Sequence, residues 1–131
     1  MRVVVVDGAN VVGSRPDGWW RDRPAAALRL HTGLVDWLAG FRQTGGPDDE
    51  AVLVLEGRAR QGVREGTEDG VRTLHARGAG DDAMVEEVTR LAEQGHEVVL
   101  VTADRGLRER LDAVGAGWAG PSWLLRQLEG R

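Results

Sequence analysis

Residues 3–6 are four valines in succession, and an aspartate, Asp7, follows them directly. A strand that is apolar at every position has both faces covered, which is the habit of parallel sheets held between layers of helices. Runs of the same kind recur at MRVVVVD (1–7), AVLVLE (51–56), VRTLHA (71–76), EVVLVTAD (97–104) and a short AGWAG (116–120). Stretches with helical spacing lie between most of them. PAAALRLHTGLVDWLAGF (24–41) begins with a proline suited to a first helical position and sets Leu30, Leu34, Leu38 and Phe41 on one face, with Gly33 weakening the pattern. DDAMVEEVTRLAEQ (81–94) repeats apolar residues at 84, 85, 88, 91 and 92 and stops at Gly95, and RGLRERLDAVG (105–115) and PSWLLRQLEG (121–130) read as two further helices. The alternation predicts an α/β fold, a three-layer α/β/α sandwich on a mainly parallel central sheet, with residues 1–131 as a single domain. GRARQGVREGTEDG (57–70) has little periodicity and reads as a loop or one helical turn, and TGGPDDE (44–50) as a surface turn.

Composition narrows the chemistry. Cysteine is absent, so thiolate metal sites and disulfides are excluded, and a metal would have to be held by carboxylate, carbonyl, amide or imidazole groups, which suits hard cations such as Mg2+ or Mn2+. No apolar run exceeds strand length and no basic leader precedes a hydrophobic stretch, which predicts a cytoplasmic protein without membrane contact. The net charge of −4 gives the molecule no global basic field for nucleic acid. All 17 basic side chains are arginine, a bias that makes arginine abundance weak evidence in itself.

The carboxylates carry more information. Ligands of parallel α/β sheets bind beyond the carboxyl ends of the strands. Asp7 ends the first strand, Glu56 the second, Asp104 follows the fourth, and Asp81 and Asp82 open the helix leading into it. Each has a local alternative: Asp7 an Asx turn, Asp81, Asp82 and Asp104 helix caps, Glu56 a solvated strand end. Convergence is what the local uses leave unexplained, since crowded carboxylates repel unless a cation or a shared proton relieves them. With a step of about 100° per residue, Asp82 shares a polar stripe with Glu86 and Glu93 while Asp81 turns towards the apolar face, so Asp82 is the preferred ligand and Asp81 the preferred cap.

Arg15, Arg21 and Arg23 follow the first strand, Arg58, Arg60 and Arg64 the second, and Arg105 and Arg108 the fourth. Guanidinium groups around a metal-carboxylate centre suit a phosphodiester. Trp19 and Trp20 in the first loop either stack on bases or cover the edge of the core. His31, His75 and His96 have no metal-ligand spacing and read as structural or surface residues. Neither GxxxxGK nor GxGxxG follows the first strand, and Ala9 stands where a dehalogenase-type phosphatase needs its second acid.

The segments VVDGANVVG (5–13), GDDAMVEE (80–87) and VTADRGLRERL (101–111), in this order, resemble the NYN branch of the PIN-like nuclease superfamily, and with the intervening strands the likeness spans most of the chain. The resemblance implies strand order 3-2-1-4-5 and a metal-dependent ribonuclease. It implies Asp7, Asp82 and Asp104 as ligands of Mg2+ or Mn2+, with Asp81 beside them as a fourth catalytic acid. Asn10 would position the first loop or a metal-bound water and Thr102 would add a hydroxyl; beside these, Arg15, Arg58 and Arg105, from the loops after the strands, are the arginines expected to meet the RNA. EGRAR at 56–60 departs from the acid-containing strand ends of some relatives, so Glu56 is not carried over. Two rivals stay open, a nucleoside-triphosphate pyrophosphohydrolase and an RNA-binding module of little activity. A homo-oligomer is compatible with the sequence, which discloses no protein partner.

Overall fold

A computed structural model describes residues 2–43, 49–78 and 80–130, of which 41–43 are described by backbone alone. Its sheet has six strands, β1 (Arg2–Asp7), β2 (Glu50–Leu55), β3 (Gly66–Glu68), β4 (Val71–His75), β5 (Glu97–Val101) and β6 (Gly117–Ala119), in the order β3-β4-β2-β1-β5-β6. Every neighbouring pair is parallel except β3 with β4. Without β3, this is the 3-2-1-4-5 order expected above.

The valine run explains the three layers. Successive side chains of a strand point to opposite faces. Val4 and Val6 therefore join Leu53 and Leu55 in a core closed by α1 (Gly8–Gly13), α2 (Arg23–Gln43) and α5 (Pro121–Glu129), through Val11, Leu30, Leu34, Trp37, Leu38 and Leu124. Val3 and Val5 join Val52 and Val54 in a second core closed by α3 (Gly80–Glu93) and α4 (Arg105–Leu111), through Met84, Val88, Leu91, Leu107 and Leu111. The four valines are at most 1% exposed, and each contributes about 1.5–3 kcal/mol from burial. Trp37 of α2 meets Trp123 of α5 edge to face, with ring centroids 6.0 Å apart. Leu30, Leu34 and Leu38 are buried as their spacing predicts; the side chain of Phe41 and residues 44–48 of the expected surface turn lie outside the described residues.

Three elements differ from expectation. Gly8–Gly13 is a short helix, started by the Asp7 carboxylate accepting the Asn10 N–H and held by burial of Val11. The 57–70 stretch is more ordered than a loop: a 3-10 segment, Gly57–Gly62, packs on the start of α2, and β3 pairs with β4 across Asp69 and Gly70, whose φ values are +50° and +85°. An Asp-Gly pair with both φ positive is a strong hairpin signal that the missing periodicity concealed. β5 ends at Val101 rather than 104, because Thr102 to Asp104 turn into the cap of α4.

Candidate active site

β1 and β5 are neighbours, yet the chain leaves β1 towards β2 on one side and enters β5 from β4 across the other. Such a reversal opens a crevice at the carboxyl ends of the strands. Asp7 and Thr102 stand on its two lips. Asp7 is 7% exposed. Its Oδ1 accepts the Asn10 N–H at 3.2 Å and its Oδ2 the Thr102 hydroxyl at 2.9 Å. The Thr102 oxygen in turn accepts the Asp104 N–H at 3.1 Å, so its one proton is committed to Asp7. Asn10 closes the crevice from the other side, its Oδ1 accepting the Ala103 N–H at 2.8 Å.

Burial pushes the Asp7 carboxyl above its ordinary pKa; the Thr102 and Asn10 hydrogen bonds pull it down, and the charges of Glu56 and Asp81 push it up again, leaving it raised. Glu56 and Asp81 are thus acids whose charge acts on Asp7. Glu56, expected as a solvated strand end, is half-buried and accepts the Gly80 N–H at 2.5 Å with Oε2. It thereby satisfies an orphan donor at the start of α3, the role expected of Asp81. Asp81 sits in the first turn of α3, exposed, and acts on Asp7 electrostatically.

Asp82 is directed elsewhere. Its side chain is 84% exposed, and its Oδ1 accepts from both Nη1 and Nη2 of Arg110 at 3.2 Å, towards α4. The partner is Arg110 of α4, packed beside α3, a contact that the pattern of α3 alone does not contain. Asp104 caps α4 with Oδ1 on the Leu107 N–H, and its own N–H is linked to Asp7 through the Thr102 hydroxyl. Among the described residues, no three His, Asp or Glu side chains lie close enough to share one ion as they stand.

The arginines divide as well. Arg15 approaches Glu129 of α5 at 3.7 Å and faces an apolar depression between α1, α2 and α5, apart from the acids. Arg105 opens α4 and is exposed. Arg58 lines a groove of about 540 Å³ together with Trp20, Arg21 and Arg23. Arg23 also borders a second depression, of about 400 Å³, which runs past Trp19, Ala9 and Leu55 to Glu56. His75 is structural, its Nε2 2.7 Å from the Val63 carbonyl and its N–H donated to Glu65.

Two residues outside the expected site set, Glu56 and Arg23, border the depression beside Gly8 and Ala9. Glu56 was legible as an acid ending the strand beside β1, in register two residues past the partner of Asp7.

No family model and no curated protein sequence matches this chain. Solved structures do: Rae1 (YacP) from Bacillus subtilis superposes with a TM-score of 0.73 at 19% identity, over 99% of this chain and 75% of that one. A single-substitution mutant of the same protein gives 0.70 at 18%, over 99% and 76%. At such identity the likeness establishes the fold, the α/β/α sandwich described above.

Proposed function

We propose that the protein is a metal-dependent ribonuclease of the NYN branch, hydrolysing RNA phosphodiester bonds in the cytoplasm. The observation that carries this reading is Asp7: a buried carboxyl group at the switch point of a parallel sheet, held in one orientation by hydrogen bonds from Asn10 and Thr102, with the charges of Glu56 and Asp81 acting on it. Among the described residues no helix is long and apolar enough to cross a membrane, in keeping with a water-exposed substrate.

The donor set suits a hard divalent ion in kind, being all oxygen, of one sign, and electrostatically strained without a counter-charge. As they stand no three described carboxylates converge on one point, so Asp7 would hold Mg2+ or Mn2+ with Glu56 and Asp81 only once these side chains turn towards it. When bound there, the ion supplies positive charge to a scissile phosphate and acidifies a water. The chain does the rest through position. The Thr102 hydroxyl and the Asn10 N–H fix both oxygens of Asp7, and the Asn10 amide ties the start of α1 to the loop before α4, so the two lips of the crevice keep their spacing. Arg23 and Arg58 present guanidinium groups along the grooves leading to Glu56, where they suit phosphate oxygens.

The test is incubation of the purified protein with labelled RNA, and separately with nucleoside triphosphates, with Mn2+ or with EDTA. Cleavage of RNA that disappears in EDTA and in Asp7→Asn is the expected result. Triphosphate turnover without RNA cleavage, or RNA binding with no cleavage at all, overturns it in favour of the pyrophosphohydrolase or the binding module.

A further inference from the structure

The loop between α1 and α2 carries two tryptophans that pack on each other edge to face, with centroids 6.1 Å apart and planes at 89°. Each ring also carries a cation: the Arg21 guanidinium lies 5.8 Å from the Trp20 centroid and that of Arg23 5.5 Å from the Trp19 centroid. Trp20 is nevertheless 56% exposed, the most exposed large apolar side chain of the described residues. An indole held proud of the surface and braced by its neighbours is a platform rather than a core residue. Its surroundings have one sign. Arg21, Arg23 and Arg58 line the groove beside it against the single carboxylate of Asp22, and the Oδ1 of Asp22 accepts the Ala25 N–H. Arg23 borders both this groove and the depression that reaches Glu56.

We infer that this loop is the substrate track of the proposed nuclease: an unpaired RNA base stacks on Trp20, its flanking phosphates lie against Arg21, Arg23 and Arg58, and the strand continues past Trp19 to Glu56 and Asp7. This rests on the ribonuclease reading and adds to it the residues that hold the RNA strand. Bases inside a duplex stack on one another and leave no face for an indole, so the track selects single-stranded segments. Stacking is tolerant of base identity, so the track confers strandedness and not sequence.

The experiment measures binding of fluorescein-labelled single-stranded and blunt duplex RNA of equal length by anisotropy, in the Asp7→Asn background to prevent cleavage. The parent binds the single strand more tightly. Trp20→Ala weakens that binding by roughly tenfold or more, while Trp20→Phe, which keeps a ring, retains most of it. Arg21→Gln with Arg58→Gln lowers the slope of log affinity against log salt by about 1.4, the value for two lost contacts to a single strand. Because Trp20 is exposed, unchanged melting of the variants confirms that folding is not the cause. Equal affinity of Trp20→Ala and parent, or equal affinity for duplex and single strand, overturns the track and leaves the nuclease standing. A parent that binds no RNA, with a wild type that cleaves none, overturns both.

Discussion

The Asp7 carboxyl is harder to ionise in the folded protein than in the unfolded chain, and the sign of its effect on stability follows from that. A proton is bound more tightly in the fold, so ionisation favours unfolding; stability from this group is complete below the ordinary carboxylate pKa and is lost as pH rises through the raised one. Above the raised pKa the ionised Asp7 weakens the fold in full. Asp7→Asn keeps an oxygen for the Asn10 N–H and removes the charge, so its melting temperature in EDTA should exceed that of wild type at pH 7, with the difference vanishing as pH falls below the ordinary carboxylate range. An equal or lower melting temperature at pH 7 rejects the burial argument. Thr102 acts in the opposite direction, since its hydroxyl favours the charged form. Thr102→Val removes it at nearly constant volume, leaves Asp7 Oδ2 without that partner and should destabilise by about 1–3 kcal/mol. The acid limb of the cleavage rate against pH should move to higher pH, and a profile that stays in place separates Thr102 from the Asp7 titration.

At the scale of elements, the site depends on close approach between segments that the sequence places far apart. A Cβ on Gly8 would come within 2.6 Å of the Val54 carbonyl and 2.9 Å of Leu55 Cδ2, so α1 can start against β2 only because residue 8 has none. Gly8→Ala should lower the urea midpoint by the equivalent of about 1–3 kcal/mol. Glu56 does for α3 what Asp7 does for α1, accepting a first-turn N–H, but across 24 residues of sequence. Glu56→Ala therefore removes a cap, at about 1 kcal/mol, whereas Glu56→Gln retains an acceptor and loses only the charge. If Glu56 belongs to the catalytic acids, the glutamine variant melts like wild type and cleaves RNA more slowly, by roughly tenfold or more; loss of activity only in step with loss of stability makes it a cap alone. These elements also mark the limits of reading the sequence. Asp7 announced itself because the valine run leaves a carboxylate no ordinary place. Glu56 did not, because its meaning lies in the Gly80 N–H opposite, and the contact of Asp82 with Arg110 comes from α4, outside the pattern of α3.

For the molecule as a whole, the layers were legible because periodicity is a property of one segment at a time, and the valines, the leucines of α2 and the pattern of α3 each state which face they bury. The constellation was legible only as a tendency of acids to gather at one rim. Its membership depends on tertiary placement, and this leads to a prediction independent of catalysis. A ligand that binds only the folded state stabilises it by an amount that grows with the logarithm of its concentration, about 2.7 kcal/mol at a hundred times its dissociation constant. If Asp7, Glu56 and Asp81 form the cation site, Mn2+ should raise the melting temperature of wild type by several degrees. The rise should shrink sharply in Asp7→Asn, Glu56→Gln and Asp81→Asn and persist in Asp82→Asn, whose carboxylate is engaged by Arg110. Should Asp82→Asn abolish the rise while Glu56→Gln keeps it, the ligand set implied by the motifs is the right one, and the first turn of α3 must rotate Asp82 away from Arg110 when the ion binds.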